Sequence, residues 1–319
     1  MKEKREIGER LANIVGRENV FADEPMKDHT TFRVGGPADF FAVPHSQEEL
    51  QKLIDICTFE NEPFFIMGNG SNLLVSDSGY RGTVIQLFKN MNKISCEGNE
   101  ICAEAGALLS AIAAVALTAG LTGFEFAGGI PGTLGGACTM NAGAYGGEMK
   151  NVLASVTVLD ENNVKKVIPA EELHMGYRRS VIMDKGYIVL SAAISLKKGE
   201  PKRIEETMNE LMLRRQTKQP LNMPSAGSTF KRPEGYFAGK LIMDAGLRGM
   251  RFGGAQVSEK HCGFIVNSGN ATAGDVYGLI CLVREKVKAD SGVEFHPEVR
   301  FFGIFNDPGA EKEKFFLPG

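Results

Sequence analysis

The chain has 319 residues, enough for one large domain or two to three small ones. Its 43% hydrophobic and 24% charged content excludes disorder as the dominant state. A net charge of −3 argues against a protein that lives on a nucleic-acid backbone, and the charged start, Met1 to Arg10, has no apolar run behind it, so no secretion signal is visible and the cytoplasm is the expected compartment.

Residues 5–20 carry Ile7, Leu11, Ile14 and Val15 at helical spacing, which predicts a short amphipathic helix. The run Thr30-Thr31-Phe32-Arg33-Val34-Gly35-Gly36-Pro37 precedes a predicted strand, Asp39 to Val43. Ser46 with Glu49 three residues on reads as a capping box for a helix carrying Leu50, Leu53, Ile54 and Cys57. Strands follow at Phe64 to Met67 and Val84 to Leu87. Together these predict an αβ unit over 1–90.

A second unit is expected over 91–214, richer in strand. It opens on a hairpin, Ile94 to Cys96 and Ile101 to Glu104, about Gly98-Asn99. Ala105 to Phe124 is uncharged over 20 residues, the length of a membrane span, but its Ala and Gly content and Gly120 indicate a buried helix of about 12 residues. Val152 to Asp160 and Val164 to Ile168 form a second predicted hairpin, and Ile188 to Leu196 a further strand. A charged helix, Pro201 to Arg215, reads as a solvated connector.

The third expected unit covers 215–319. It holds helices at Phe237 to Ala245 and, after a Thr272 cap, Ala273 to Asp290, with a strand near Gly263 to Asn267 and a last strand or strand pair within 293–304. The order of elements lacks the βαβ alternation of a doubly wound fold, so the class is α+β.

Two glycine segments stand out among 38 glycines: Gly68-Asn69-Gly70-Ser71-Asn72-Leu73, directly after a strand, and Gly128-Gly129-Ile130-Pro131-Gly132-Thr133-Leu134-Gly135-Gly136, running on to Asn141 and Gly143. Glycine lets backbone approach a ligand closely, and successive free N–H groups cradle phosphate or pyrophosphate. Position 73 is Leu, so the first segment lacks the third Gly of GxGxxG, and no GxxxxGK[ST] exists. Two such loops point to a large bound cofactor without naming it.

Three polar segments remain. Met175-Gly176-Tyr177-Arg178-Arg179-Ser180 sets two arginines beside an aromatic, suited to an anion or carboxylate. Lys218 to Pro233 packs cations, prolines and serines around Ser228, without the GxSxG elbow of a hydrolase. In Val293-Glu294-Phe295-His296-Pro297-Glu298-Val299-Arg300 the alternation could place Glu294, His296 and Glu298 on one strand face, but no HExxH or CxxC pattern supports a metal.

Taken together in order and spacing, these segments resemble the UDP-N-acetylenolpyruvoylglucosamine reductase family, from Thr30-Thr31-Phe32-Arg33-Val34-Gly35-Gly36 to Glu298-Val299-Arg300. The resemblance implies three α+β units, the first two a vanillyl-alcohol-oxidase-like module holding FAD non-covalently, the third binding a UDP-sugar. It implies cofactor contacts from Arg33, Gly68, Asn69, Gly70, Ser71, Asn72 and Leu73. It implies more from Gly128, Gly129, Ile130, Pro131, Gly132, Thr133, Gly135, Gly136, Asn141 and Gly143.

By the same resemblance, Ser228, Arg178 and Glu298 are catalytic, and Tyr177, Lys231, Arg232, Tyr236 and Lys240 meet the substrate. Arg178 and Ser228 are fifty residues apart, which fits the shorter form of the family, without its extra loop. The implied reaction is NADPH-dependent reduction of an enolpyruvyl UDP-sugar in peptidoglycan precursor synthesis, by a monomer with neither nucleic acid nor membrane as partner. The rival reading is another FAD-dependent sugar or alcohol oxidoreductase on the same scaffold.

Overall fold

The structure, a computed structural model, describes residues 2–305, without the side chains of residues 2 and 3. Residues 306–319 of the expected third unit therefore lie outside the described residues. Helix α1 (Lys2–Val15) stops at Gly16, earlier than the expected 20, because Gly16 turns to φ +87°. Leu11 and Val15 are its buried face. A strand absent from the sequence reading follows, Val20–Pro25.

That strand pairs antiparallel with Pro37–Ala42, which runs parallel to Tyr80–Gln86, itself parallel to Phe64–Met67. Helix α2 (Gln47–Phe59) covers one face. Ser46 Oγ accepts from Glu49 N at 3.2 Å, as expected, but the Glu49 carboxylate takes His45 N at 2.7 Å, so the box closes one residue early.

The second unit is a five-stranded antiparallel sheet in the order Lys165–Pro169, Leu153–Leu159, Ile188–Ser195, Glu100–Glu104, Ile94–Glu97. Both predicted hairpins are there. The uncharged run forms α3 (Leu109–Thr118), stopped near Gly120 at φ +63°, with Leu109, Ile112, Ala113 and Ala116 buried. No described helix is long and apolar enough to cross a membrane. Short helix α4 (Leu134–Met140) takes in the end of the second glycine segment, and short helix α5 (Val181–Lys185) follows the Arg178 turn. One hydrophobic core joins α1 and α2 to this sheet, from Leu11, Leu50 and Leu53 through Ile101 and Leu109 to Val156 and Leu190.

After the long α6 (Pro201–Lys218) comes the third unit. Here α8 (Ala273–Ser291) packs on a three-stranded sheet, Arg251–Phe252, Ala255–Val257 and Ile265–Asn267, and α7 (Ala238–Asp244) packs against α8. Thr272 caps α8 through a full capping box with Asp275. Two exchanges weld this unit to the first. Phe32, Val34 and Leu74 enter the third unit's core beside Phe230, Ile265 and Phe295. In return, the strand Arg300–Phe302 pairs parallel with Leu73–Val75, and Phe302 stacks on Tyr80 at 4.2 Å. The run Thr30 to Gly36 is therefore a joint between units as well as the neighbour of a glycine loop.

Candidate active site

The strand Phe64–Met67 releases the chain into Gly68 to Asn72 at the edge where all three units meet. Gly70 has φ +61°, and a Cβ there would lie 2.1 Å from the His29 carbonyl, so only glycine fits. The two glycine segments touch: Asn69 Nδ2 donates to Pro131 O at 3.0 Å. Among the described residues no group accepts from the N–H of Asn69, Gly70 or Ser71. Thr31 Oγ1, whose own N–H bonds Gly70 O at 3.3 Å, is buried without a partner. Unspent donors in a glycine-lined concavity are the chemistry of an anion cradle, and a dinucleotide pyrophosphate fits it.

On the far side of the second segment lies α6. Its charged composition predicts a solvated helix, but the Arg215 guanidinium is half-buried against Gly129, 6.0 Å from the Tyr145 ring centre. Burial lowers its pKa from the ordinary guanidinium value. Among the described residues no carboxylate pairs with it. A cleft of about 130 Å³ lies here, lined by Gly128, Gly129, Tyr145, Met208 and Arg215. The only sequence signal is position: Arg215 lies in the last turn of the charged helix, just before the proline-rich segment.

Helix α4 anchors the turn that carries Arg178. Asn141, left-handed at φ +47° and fully buried, ends the helix. Its side chain is spent inside the protein: Nδ2 donates to Glu148 (2.6 Å) and to Gly176 O (2.9 Å), and Oδ1 accepts from Lys150 N. Ser180 Oγ donates to Thr139 O at 2.6 Å. These two anchors hold the turn Gly176 to Arg179 at both ends. Arg178 occupies its third position at φ +55°, where glycine is the usual residue. Such a conformation costs of order 1 kcal/mol and persists only where its surroundings enforce it.

The turn delivers Arg178 Nε to Glu298 Oε1 at 2.6 Å, with the two side chains 18% and 12% exposed. Glu298 is placed from two sides. Asn72 Nδ2 donates to its carbonyl at 3.1 Å, and its own N–H bonds Thr229 O at 2.8 Å. Buried Thr229 also bonds Gly263 O through its N–H and accepts Ile265 N on Oγ1. Ser228, one residue earlier, is exposed after Gly227 at φ +77°. Arg178 and Glu298 thus meet across 120 residues of chain, beside Asn72 of the first loop, and Ser228 precedes the Thr229 whose carbonyl holds Glu298 N.

Tyr177 Oη accepts from Arg232 N at 3.0 Å, Arg232 Nε donates to Tyr236 O at 3.1 Å, and its guanidinium lies 4.0 Å from the Phe237 ring centre. Lys231 is exposed, its N–H held by His296 O. Lys240 is paired within its helix to Asp244 at 2.6 Å. Arg33 is exposed at φ +56° between buried Phe32 and Val34. The alternating acidic face does not assemble: Glu294 pairs with Lys288 at 3.5 Å, away from Glu298, because the segment is not a regular strand.

An α+β fold with a glycine-lined anion cradle and an adjoining ion pair fits an enzyme that holds a large anionic cofactor beside a separate substrate-binding unit. Comparison with known proteins agrees. Residues 38–164 match the description of an FAD binding domain, and residues 219–302 that of the UDP-N-acetylenolpyruvoylglucosamine reductase C-terminal domain. The chain is 55% identical over 295 residues to the UDP-N-acetylenolpyruvoylglucosamine reductase of Caldanaerobacter subterraneus subsp. tengcongensis, covering 92% of this chain and 97% of that one. To the same-named protein of Clostridium perfringens it is 51% identical, covering 95% and 99%. The crystal structure of the Thermus caldophilus reductase superposes with a TM-score of 0.76 at 36% identity, covering 89% of this chain and 98% of that one. The chain belongs to the UDP-N-acetylenolpyruvoylglucosamine reductase family.

Proposed function

We infer that the chain reduces the enolpyruvyl ether of UDP-N-acetylglucosamine to UDP-N-acetylmuramate with NADPH, through non-covalent FAD. Its family membership carries the reaction. The observation that carries the site is the Arg178–Glu298 pair standing beside Asn72, with Ser228 next to the Thr229 whose carbonyl holds Glu298 N. Bound FAD supplies a hydride carrier between NADPH and C3 of the enolpyruvyl group.

The chain's own residues do the rest. Backbone N–H groups of Asn69 to Ser71 take the cofactor's pyrophosphate, with Gly128 to Gly136 closing the cradle, and Arg215 offers a cation to its anionic part. Hydride arrival at C3 pushes negative charge onto C2 and its carboxylate. Arg178, held in place by Asn141 and Ser180, stabilises that charge, and Glu298 fixes the guanidinium's orientation. Ser228 Oγ gives its proton to C2. A hydroxyl is a weak acid in water, but a carbanionic centre is basic enough to take its proton. Arg232, Tyr177, Tyr236 and Lys231 form the mouth that meets the anionic UDP group, and Lys240 joins them only by releasing Asp244.

An anaerobic absorbance experiment on the FAD-loaded protein tests this. NADPH should bleach the flavin band and the enolpyruvyl UDP-sugar should restore it. Bleaching without recovery would discard the substrate, and bleaching of the oxidised flavin by a simple sugar or alcohol in place of NADPH would favour the rival oxidoreductase.

A further inference from the structure

We infer that Asp77 is a positioning residue for the reaction: its carboxylate pins the third unit on the first, so that Ser228 and Glu298 face the cofactor. The inference rests on the roles proposed above for those two residues. Asp77 belongs to the first unit, in the loop between the strands Leu73–Val75 and Tyr80–Gln86. Its two oxygens accept from Ala273 N and Gly274 N, both at 2.8 Å. These are the first two N–H groups of α8, which have no partner within a helix and carry its positive end. The helix's own capping box satisfies others, Thr272 Oγ1 taking Asp275 N and Asp275 taking Thr272 N and Gly254 N. Asp77 therefore supplies, from another unit, the caps that α8 lacks.

The loop is itself fixed. Ser76 N bonds Phe302 O and Gly36 N bonds Ser76 O, both at 2.8 Å. A Cβ at Gly36 would meet the Asp77 carbonyl at 2.1 Å, so glycine there lets the joint close. From its capped end α8 runs through the third unit's core with Val276, Leu279 and Val283 buried. Arg284 Nε then donates to Phe295 O at 3.1 Å. Phe295 packs on Phe230, ring centres 5.0 Å apart. Ser228 lies two residues before Phe230, and Glu298 three after Phe295. A tilt of α8 at Asp77 thus shifts both groups relative to the glycine loops. A misplacement of about 1 Å is enough to slow a reaction on the order of a hundredfold.

The test compares Asp77→Asn and Asp77→Ala with Thr272→Ala, which weakens the same helix end without touching the joint. FAD affinity, thermal midpoint and stopped-flow transfer to the enolpyruvyl UDP-sugar are measured on each FAD-loaded protein. Both Asp77 variants should bind FAD as the native protein does and slow transfer to substrate about tenfold or more. Amide exchange at Ala273 and Gly274 should rise in them. Thr272→Ala should lower the midpoint yet keep the transfer rate within about twofold. Native transfer rates in Asp77→Asn would overturn the inference, and so would an equal slowing in Thr272→Ala. If the native protein itself never transfers to the enolpyruvyl sugar, the functional reading fails first and the inference with it.

Discussion

Replacing Ser228 with Ala separates chemistry from stability. Ser228 is exposed, and among the described residues its hydroxyl makes no hydrogen bond. The local backbone is held by its neighbour: Thr229 bonds Gly263 O, Glu298 N and Ile265 N. Removing one exposed oxygen should leave stability within about 0.5 kcal/mol, a shift of about 2 °C or less in the thermal midpoint. General acid catalysis is worth about 10²–10⁴ in rate, or roughly 3–5 kcal/mol of barrier. The effect on the reaction should therefore exceed the effect on folding by several-fold in energy. Stopped-flow absorbance reads both half-reactions. Bleaching by NADPH should match the native protein, while recovery with the enolpyruvyl UDP-sugar slows by two to four orders of magnitude. Equal slowing of both phases, or recovery at the native rate, would refute the assignment of the proton to Ser228.

Glu298→Gln keeps an oxygen for Arg178 Nε but removes the charge, so it should cost about 1 kcal/mol in unfolding while substrate reduction falls roughly a hundredfold or more; steady-state turnover at native level would count against the pair. Gly70→Ala forces a Cβ to 2.1 Å from the His29 carbonyl at φ +61°, and FAD titration should show affinity lost by about tenfold or more. Burial raises the Glu62 carboxyl pKa, against an opposing hydrogen bond from Thr83. The folded state then holds that proton more tightly than the unfolded chain, so its stabilising contribution is present below the ordinary carboxylate range and fades as pH rises through the folded value. Glu62→Gln should accordingly raise the thermal midpoint at about pH 8 and leave it nearly unchanged at about pH 4, and an equal shift at both would contradict the burial account.

What was legible in the sequence is local. Ser46 before a helical run, Gly120 after one, Gly98-Asn99 between alternating strands and Thr272 before the last helical run each encode their geometry within a few residues, while the Asp275 half of the Thr272 box shows only in the structure. Val20–Pro25 was missed because its central residues, Phe21, Ala22 and Asp23, are all exposed and give no alternation. It is a strand because Pro37–Ala42 offers it a partner. Phe32 and Val34 looked like part of a motif, and nothing in their spacing says that they finish the core of a unit some 200 residues away. Arg215 sat in a helix whose composition is that of a solvated face, and only the approach of Gly129 buries it. The site residues themselves were read by resemblance. From composition and spacing alone, Arg178 was a cation in a loop and Glu298 one carboxylate of an alternating run.

The Arg178 turn explains why that site is legible by resemblance and not by local rules. A left-handed third position in a tight turn favours glycine, and folding alone would select it. The chain instead keeps an arginine there and offsets the strain with Asn141 to Gly176 O, Ser180 to Thr139 O, and the pair to Glu298. All these contacts reach outside the turn. Asn141 and Ser180 tie it to the helix that ends the second glycine segment, and Glu298 ties it to a strand that pairs beside the first. The same bonds that hold the strained arginine therefore also register it against both glycine loops. Placing the guanidinium by long-range contacts, rather than on a regular helix or strand, makes its position report the assembly of all three units. A chain in which the third unit docks wrongly loses Glu298 from Arg178 and leaves a half-buried cation unpaired, which penalises the misassembled state by an energy comparable to the turn's own strain or larger.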